Sequence, residues 1–360
     1  MAGGQRLTTN DEFMANILDI RRRIRSVVNT RQITRAMKMV SAARLRRAQE
    51  RALAARPYAQ MLTNVLKSLV TRADIFDPAT GEVLHPLLVR RPEKNVLLVV
   101  VTGDKGLAGA FNANILKSAS RFLESKTGKN VEIEAIGRKG RDFLRRRFSS
   151  AEARKADSQT TGTFLVGEHV GVLNKIEYAM ASEFAERIIE RYERSEIDSV
   201  YMVFNEFKSV IAQRLVVEQV LPIEQIGAPT VADSKEMNAE EKKRAIEAAK
   251  GAGVGLRPAD TRESDAHAAQ FATAPVDYIY EQSPASLFRS LLPKYVGIQI
   301  FRALLESVAA EHAARMTAME SATSNASDMI DSLTLAMNRA RQAKITKEII
   351  EIVSGAAAAQ

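Results

Sequence analysis

The sequence predicts an α/β protein in which a central Rossmann-like domain is flanked by two long helices paired as an antiparallel coiled coil. Three observations predict it. Residues 5–56 contain neither Gly nor Pro, and residues 298–354 repeat that feature at the other end. Between them, apolar runs of strand length alternate with helical patterns, as in a largely parallel sheet. Positive charge is concentrated in the first long segment and not in the second.

Residues 1–12, ahead of the first helix, read as a leader. The opening "MAGGQRLTTNDEF" lacks the apolar core of a secretory signal, so none is expected. The N-terminal coiled-coil helix is predicted over 13–77, with Pro57 as a candidate kink. Unbroken helical patterns of this length suggest a coiled coil, a membrane span or a helical repeat. No repeat is visible. In the C-terminal counterpart, charges at 311, 315, 320, 328 and 331 exclude a span. The most apolar run, "NVLLVVV", is also too short to cross a bilayer, so a soluble chain is expected.

Neither long helix keeps a clean heptad. On the first, Ile17, Ile24 and Val28 share one face, whereas Ile33, Met37 and Val40 fall on nearly the opposite one. A stripe that changes sides predicts a helix meeting different neighbours at different heights. From Phe13 to Arg56 the segment has 12 Lys and Arg against 2 acids, a net of +10 beside +9 for the whole chain. Such a stretch should meet something acidic: nucleic acid, anionic lipid or an acidic protein surface. No Trp, Tyr or Phe lies between Phe13 and Tyr58, so base stacking has no support. Met37 and Met39 suit a core or an adaptable contact equally, since methionine is flexible and polarizable.

The central domain is predicted over 90–222. "NVLLVVVTGD" reads as a buried strand entering a Gly-rich turn, "AFNANILKSASRFLES" as helix and "VEIEAIG" as strand. "RKGRDFLRRRF" and "LNKIEYAMASEFAERIIERYE" are helical, and "SVYMVFNEFKS" with "RLVVEQVLP" suggest an antiparallel pair at the end. Residues 227–275 are polar, carry one short charged helix ("AEEKKRAIEAAK") and read as an insertion or mobile excursion. The C-terminal coiled-coil helix is expected over 284–354, followed by a tail at 355–360. Its middle, "AARMTAMESATSNASDM", is rich in small residues that let another helix approach closely.

Little in the chain suggests bond chemistry. Cysteine is absent and the 4 His are far apart, which argues against thiolate and His-based metal sites. "TGDKGLAGAFN" lies where phosphate loops occur, but Gly103, Gly106 and Gly109 fit neither GxxxxGK[ST] nor GxGxxG. A tight strand-to-helix turn is the expected reading, and Asp104 has no evident catalytic partner. No catalytic residue, cofactor or metal is expected.

At these residues the chain resembles the gamma subunit of the rotary F-type ATP synthase, in its bacterial type. "LDIRRRIRSVVNTRQITRAMKMVSAARLRRAQ" and "EHAARMTAMESATSNASDMIDSLTLAMNRARQAKITKEIIEIVSGAA" carry the resemblance. "TGDKGLAGAFNANI" and "YIYEQSPASLFRSLLPKYV" extend it through the middle. The resemblance implies a central-stalk rotor that transmits torque between a proton-driven c-ring and catalytic beta subunits, coupling proton flow to ATP synthesis or hydrolysis. The implied partners are the hexameric ring of alpha and beta subunits, the epsilon subunit and the c-ring. The implied location is peripheral, on the cytoplasmic face of the bacterial inner membrane. No nucleic acid is expected, although a basic coiled-coil nucleic-acid-binding protein is the alternative, and a nucleotide-using enzyme built on the α/β middle is a third reading. By resemblance, Met37, Lys38, Arg341 and Gln342 contact a beta subunit, and Tyr280 and Glu281 belong to the foot near the c-ring. The chain departs from the pattern in the length of 227–275, for which a contact role near the foot is expected, and in the missing cysteine pair of the chloroplast form.

Overall fold

A computed structural model describes residues 6–70, 85–150, 162–227, 230–255 and 281–358. The chain divides into two compact units, one made of the residues up to Val40 and from Ala318 onward, the other of Ser41–Thr317. Two helices belong to both: α1 (Arg6–Val70) and α6 (Pro284–Ala358). α1 runs through Pro57 without ending, at the cost of one backbone hydrogen bond.

The second unit is built on β1 (Asn95–Val101), a seven-residue run buried at every position after the first. Val, Leu and Ile on both faces of a strand require cover on both sides, as in parallel α/β sheets. The chain continues through α2 (Phe111–Ser125), β2 (Asn130–Ile136), α3 (Arg138–Arg147), the short β3 (Ser149–Ser150) and β4 (Thr163–His169). It then forms α4 (Tyr178–Glu193), β5 (Ser199–Ser209), β6 (Ala212–Leu221), β7 (Thr230–Glu236) and α5 (Ala239–Ala252). The seven strands lie in the order β3-β4-β2-β1-β5-β6-β7. The first five in that order run parallel, with Val99 between Glu134 and Met202. β6 and β7 add on antiparallel, so the antiparallel pair expected at the end is present as β5 and β6.

Successive β1 side chains enter opposite layers. Leu97, Val99 and Val101 pack with Phe184, Ile188 and Tyr192 of α4, Leu292 and Val296 of α6, and Leu66 of α1. Val96, Leu98 and Val100 pack with Ile115 of α2, Leu144 of α3, Ala245 and Ala249 of α5, and Leu45 of α1. Burying each such Leu, Ile or Phe contributes roughly 1.5–3 kcal/mol. Within this unit α1 meets both layers, through Leu45 on one side of the sheet and Leu66 on the other. The polar segment after residue 227 is more than an excursion: it contributes the edge strand β7 and the helix α5, whose Ala245, Ala248, Ala249 and Ala252 are buried.

One close approach fixes the turn after β1. Gly137 has φ +94°, and a Cβ there would lie 1.9 Å from the Thr102 carbonyl oxygen. Only glycine permits both. Beside it, the Gly140 amide donates to Thr102 Oγ1 at 2.8 Å.

Candidate partner-contact surfaces

In the first unit, the inward positions of α1 run through Ile17, Ile20, Ile24, Val27, Arg31, Thr34 and Lys38, spaced alternately by three and four. Those of α6 run through Met319, Thr323, Ala326, Ile330, Leu333, Met337, Ala340, Lys344 and Lys347 with the same spacing. This is a heptad seam. Thr34 Oγ1 and Thr323 Oγ1 are 2.8 Å apart, and Lys38 Nζ lies 2.5 Å from Glu320 Oε2. The residue numbers rise on one helix as they fall on the other, so the pair is antiparallel.

The seam corrects two expectations: a regular heptad is present once polar positions are counted, although the apolar residues alone do not keep one. It does not change sides after Val28 but continues through Arg31, Thr34 and Lys38, whose aliphatic parts can line an interface while their polar ends find partners. Ile33 and Val40 instead face outward, 60% and 52% exposed, with Met39 beside them at 52%. Arg21, Arg22, Arg23, Arg25 and Arg35 are exposed as well. Toward the C-terminus, Ile345, Ile349, Ile350, Ile352 and Val353 are all exposed, Ile352 at 71%. A helix end that presents this many large apolar side chains has surface left over after its own packing.

The residues singled out by resemblance fall at different levels. Met37 is half-buried, and Lys38 is turned inward onto Glu320. Arg341 and Gln342 are exposed, next to the seam position Ala340. The register set by Lys38 and Glu320 puts them opposite the start of the Ile17–Lys38 stretch, about 30 Å along the pair from Met37. Glu281 is exposed in the second unit, just ahead of α6. Tyr280 lies outside the described residues.

The Gly-rich turn of the second unit is an anchored structural turn. Gly103 donates its amide to Asn112 Oδ1 at 2.8 Å. Asp104 Oδ1 accepts from the amides of Arg138 at 2.9 Å and Gly171 at 3.2 Å, which uses the carboxylate to tie three segments together. Arg315 of α6 clamps the turn, donating to Glu311 at 2.5 Å and to the Gly106 carbonyl at 3.3 Å. The Glu311–Arg315 pair is legible as an acid and a base four residues apart on a helix. Leu107 was not foreseen: it is held at φ +61° and is 62% exposed at the tip of the turn. Strain in an exposed apolar residue is a contact signal that a sequence alone does not carry.

A family model described as ATP synthase matches residues 16–359. The ATP synthase gamma chain of Solibacter usitatus is 49% identical over 347 residues, covering 96% of this chain and 100% of that one. The gamma chain of Anaeromyxobacter sp. is 44% identical, again covering 96% of this chain and 99% of its own length. A chain in the structure of the Euglena gracilis mitochondrial ATP synthase (OSCP/F1/c-ring, rotational state 3) shares the fold at a TM-score of 0.50 and 17% identity, covering 96% of this chain and 94% of that one. The similarity runs through both units, and the chain belongs to the ATP synthase gamma chain family.

Proposed function

We propose that this chain is the central-stalk rotor subunit of an F-type ATP synthase. It transmits torque between a proton-driven c-ring and the catalytic beta subunits, with the alpha/beta ring, the epsilon subunit and the c-ring as partners. It does no bond chemistry of its own. The observation that carries this reading is the surplus outer surface of the helix pair, where exposed arginines, Ile33, Val40 and the isoleucine-rich end remain after the seam is filled. A helix pair meant to stand alone would not leave that surface to water.

Met37, Arg341 and Gln342 are then contacts to beta subunits at two heights of the pair, and Lys38 supports the first of these through its ion pair with Glu320. Leu107 is a further contact, from the turn after β1. Tyr280 and Glu281 belong to the foot near the c-ring. No helix among the described residues is long and apolar enough to cross a membrane. On this reading the chain is peripheral, at the cytoplasmic face of the bacterial inner membrane.

Arg341→Ala tests the reading. The side chain is exposed, so the variant's own unfolding should stay within about 0.5 kcal/mol of the parent. In the assembled enzyme, ATP-driven proton pumping should fall about five- to tenfold, the effect of losing roughly 1–1.4 kcal/mol of contact at a productive position. Unchanged pumping with unchanged folding would remove Arg341 from the contact surface.

A further inference from the structure

A cavity of about 390 Å³ opens in the second unit between α1, the turn after β1, the 3-10 turn Val172–Asn174 and α6. Arg44, Arg47 and Arg51 line it from α1, spaced three and four residues apart so that all three share one helix face. Lys105 enters from the turn, and Arg315 and His312 from α6. Its two acids are already engaged, Asp104 by backbone amides and Glu311 by Arg315. Arg44, Arg47, Arg51 and Lys105 make no ion pair with any described residue. The floor is apolar, made of Ala48, Leu173, Ile176, Leu305 and Val308.

His312 registers this excess of positive charge. Burial, then Arg315, Arg44 and Lys105, hold its pKa down to about 4. The position in the fold is also telling. β1 has β2 on one side and β5 on the other, so the strand order reverses there. The cavity opens at its carboxyl end, where open α/β sheets take ligands. The volume lies in the range of small-molecule sites. Guanidinium groups match phosphate oxygens in geometry as well as charge.

We propose that this cavity binds a phosphate-bearing small anion, held by Arg44, Arg47, Arg51 and Lys105, with the apolar floor accepting whatever the phosphate is attached to. Because the glycine spacing fits no phosphate-loop motif, side chains rather than a backbone cradle do the holding. The proposal does not depend on the rotor reading, since it concerns the chain by itself.

The test is calorimetric titration of the full-length chain at about 0.1 M ionic strength, where the screening length is about 10 Å, with tripolyphosphate, ATP, adenosine and a hexaglutamate peptide. Saturable 1:1 binding of tripolyphosphate is expected. The Arg47→Gln/Arg51→Gln double variant should weaken it about tenfold or more, the usual scale for losing charge-assisted hydrogen bonds. Arg21→Gln/Arg22→Gln removes the same charge from the first unit and should change it less than about twofold, because neither residue lines the cavity and exposed charges are screened. ATP binding more tightly than tripolyphosphate, with the same sensitivity to the variants, identifies a nucleotide site. Equal affinities identify a site for the phosphates alone. Either result supports the proposal. Absence of 1:1 binding, equal loss in both double variants, adenosine binding without tripolyphosphate binding, or pocket-dependent binding of hexaglutamate alone each overturns it. Melting curves of both variants with and without tripolyphosphate separate lost binding from lost folding.

Discussion

Glu93 stands just ahead of β1 and gathers three donors: Lys126 Nζ and Lys129 Nζ at 2.6 Å each, and the Tyr201 hydroxyl at 2.5 Å. Burial by itself would raise the pKa of this carboxylate. The hydrogen bonds from Lys126, Lys129 and Tyr201 outweigh it and hold the group at about 2, below its ordinary 4.5. Tyr201 moves the other way, pushed up by burial and then by its bond to Glu93. Between about pH 2 and 4.5 the unfolded chain binds a proton at Glu93 that the folded chain refuses, so acid favours unfolding. The contribution of Glu93 is complete above about pH 4.5 and is lost as the pH falls toward 2. Glu93→Gln should therefore be less stable than the parent at neutral pH and should lose less of its stability on acidification. Urea unfolding at a series of pH values measures this, and parallel stability curves for the two proteins would remove Glu93 from the acid response.

At the scale of elements, the helix pair and the sheet differ in how openly the sequence declares them. "NVLLVVV" announces β1 because a doubly covered strand must be apolar at every position. α5 is legible too: Asn238 and Glu241 form a capping box, and alanines recur along its inner side. β7, "TVADSKE", was not legible, because an edge strand exposed along most of its length carries no apolar alternation. The seam of the helix pair was half legible. Its apolar part reads directly, but Thr34, Lys38 and Thr323 look like surface residues until the register pairs them. The same limit applies to the proposed contact residues: Arg341 is visible through its motif, whereas the strained Leu107 and the inward turn of Lys38 depend on backbone and packing. The threonine pair offers a clean test. Each hydroxyl also has a carbonyl of its own helix within reach, Thr34 that of Arg31 and Thr323 that of Met319, so two protons serve three contacts and either hydroxyl keeps an acceptor without the other. Neither would be stranded by loss of the other. Thr34→Val with Thr323→Val replaces both partners by side chains of the same shape and should change stability by less than about 1 kcal/mol. A thermal unfolding shift equivalent to 2 kcal/mol or more would mean that the seam relies on this bond.

The whole molecule joins two kinds of stability in one chain. The second unit covers a seven-stranded sheet on both faces, and its central strand is fully enclosed. The first unit is two helices held along one seam that turns polar over Arg31, Thr34 and Lys38 and leaves large apolar side chains outside. Regions with few buried apolar contacts open at lower free energy than doubly covered strands. Hydrogen exchange on the isolated chain should reveal that order, with amides of Ile17–Lys38 and Met319–Lys347 exchanging at least about 100-fold faster than those of Leu97–Val100, a gap of roughly 3 kcal/mol. In the assembled enzyme the gap should narrow, because partners that cover Ile33, Val40 and the isoleucine-rich end stabilise the pair they bind. If the pair is already as protected as β1 when the chain is alone, its outer surface is not waiting for a partner, and the surplus surface no longer argues for a rotor held within a ring.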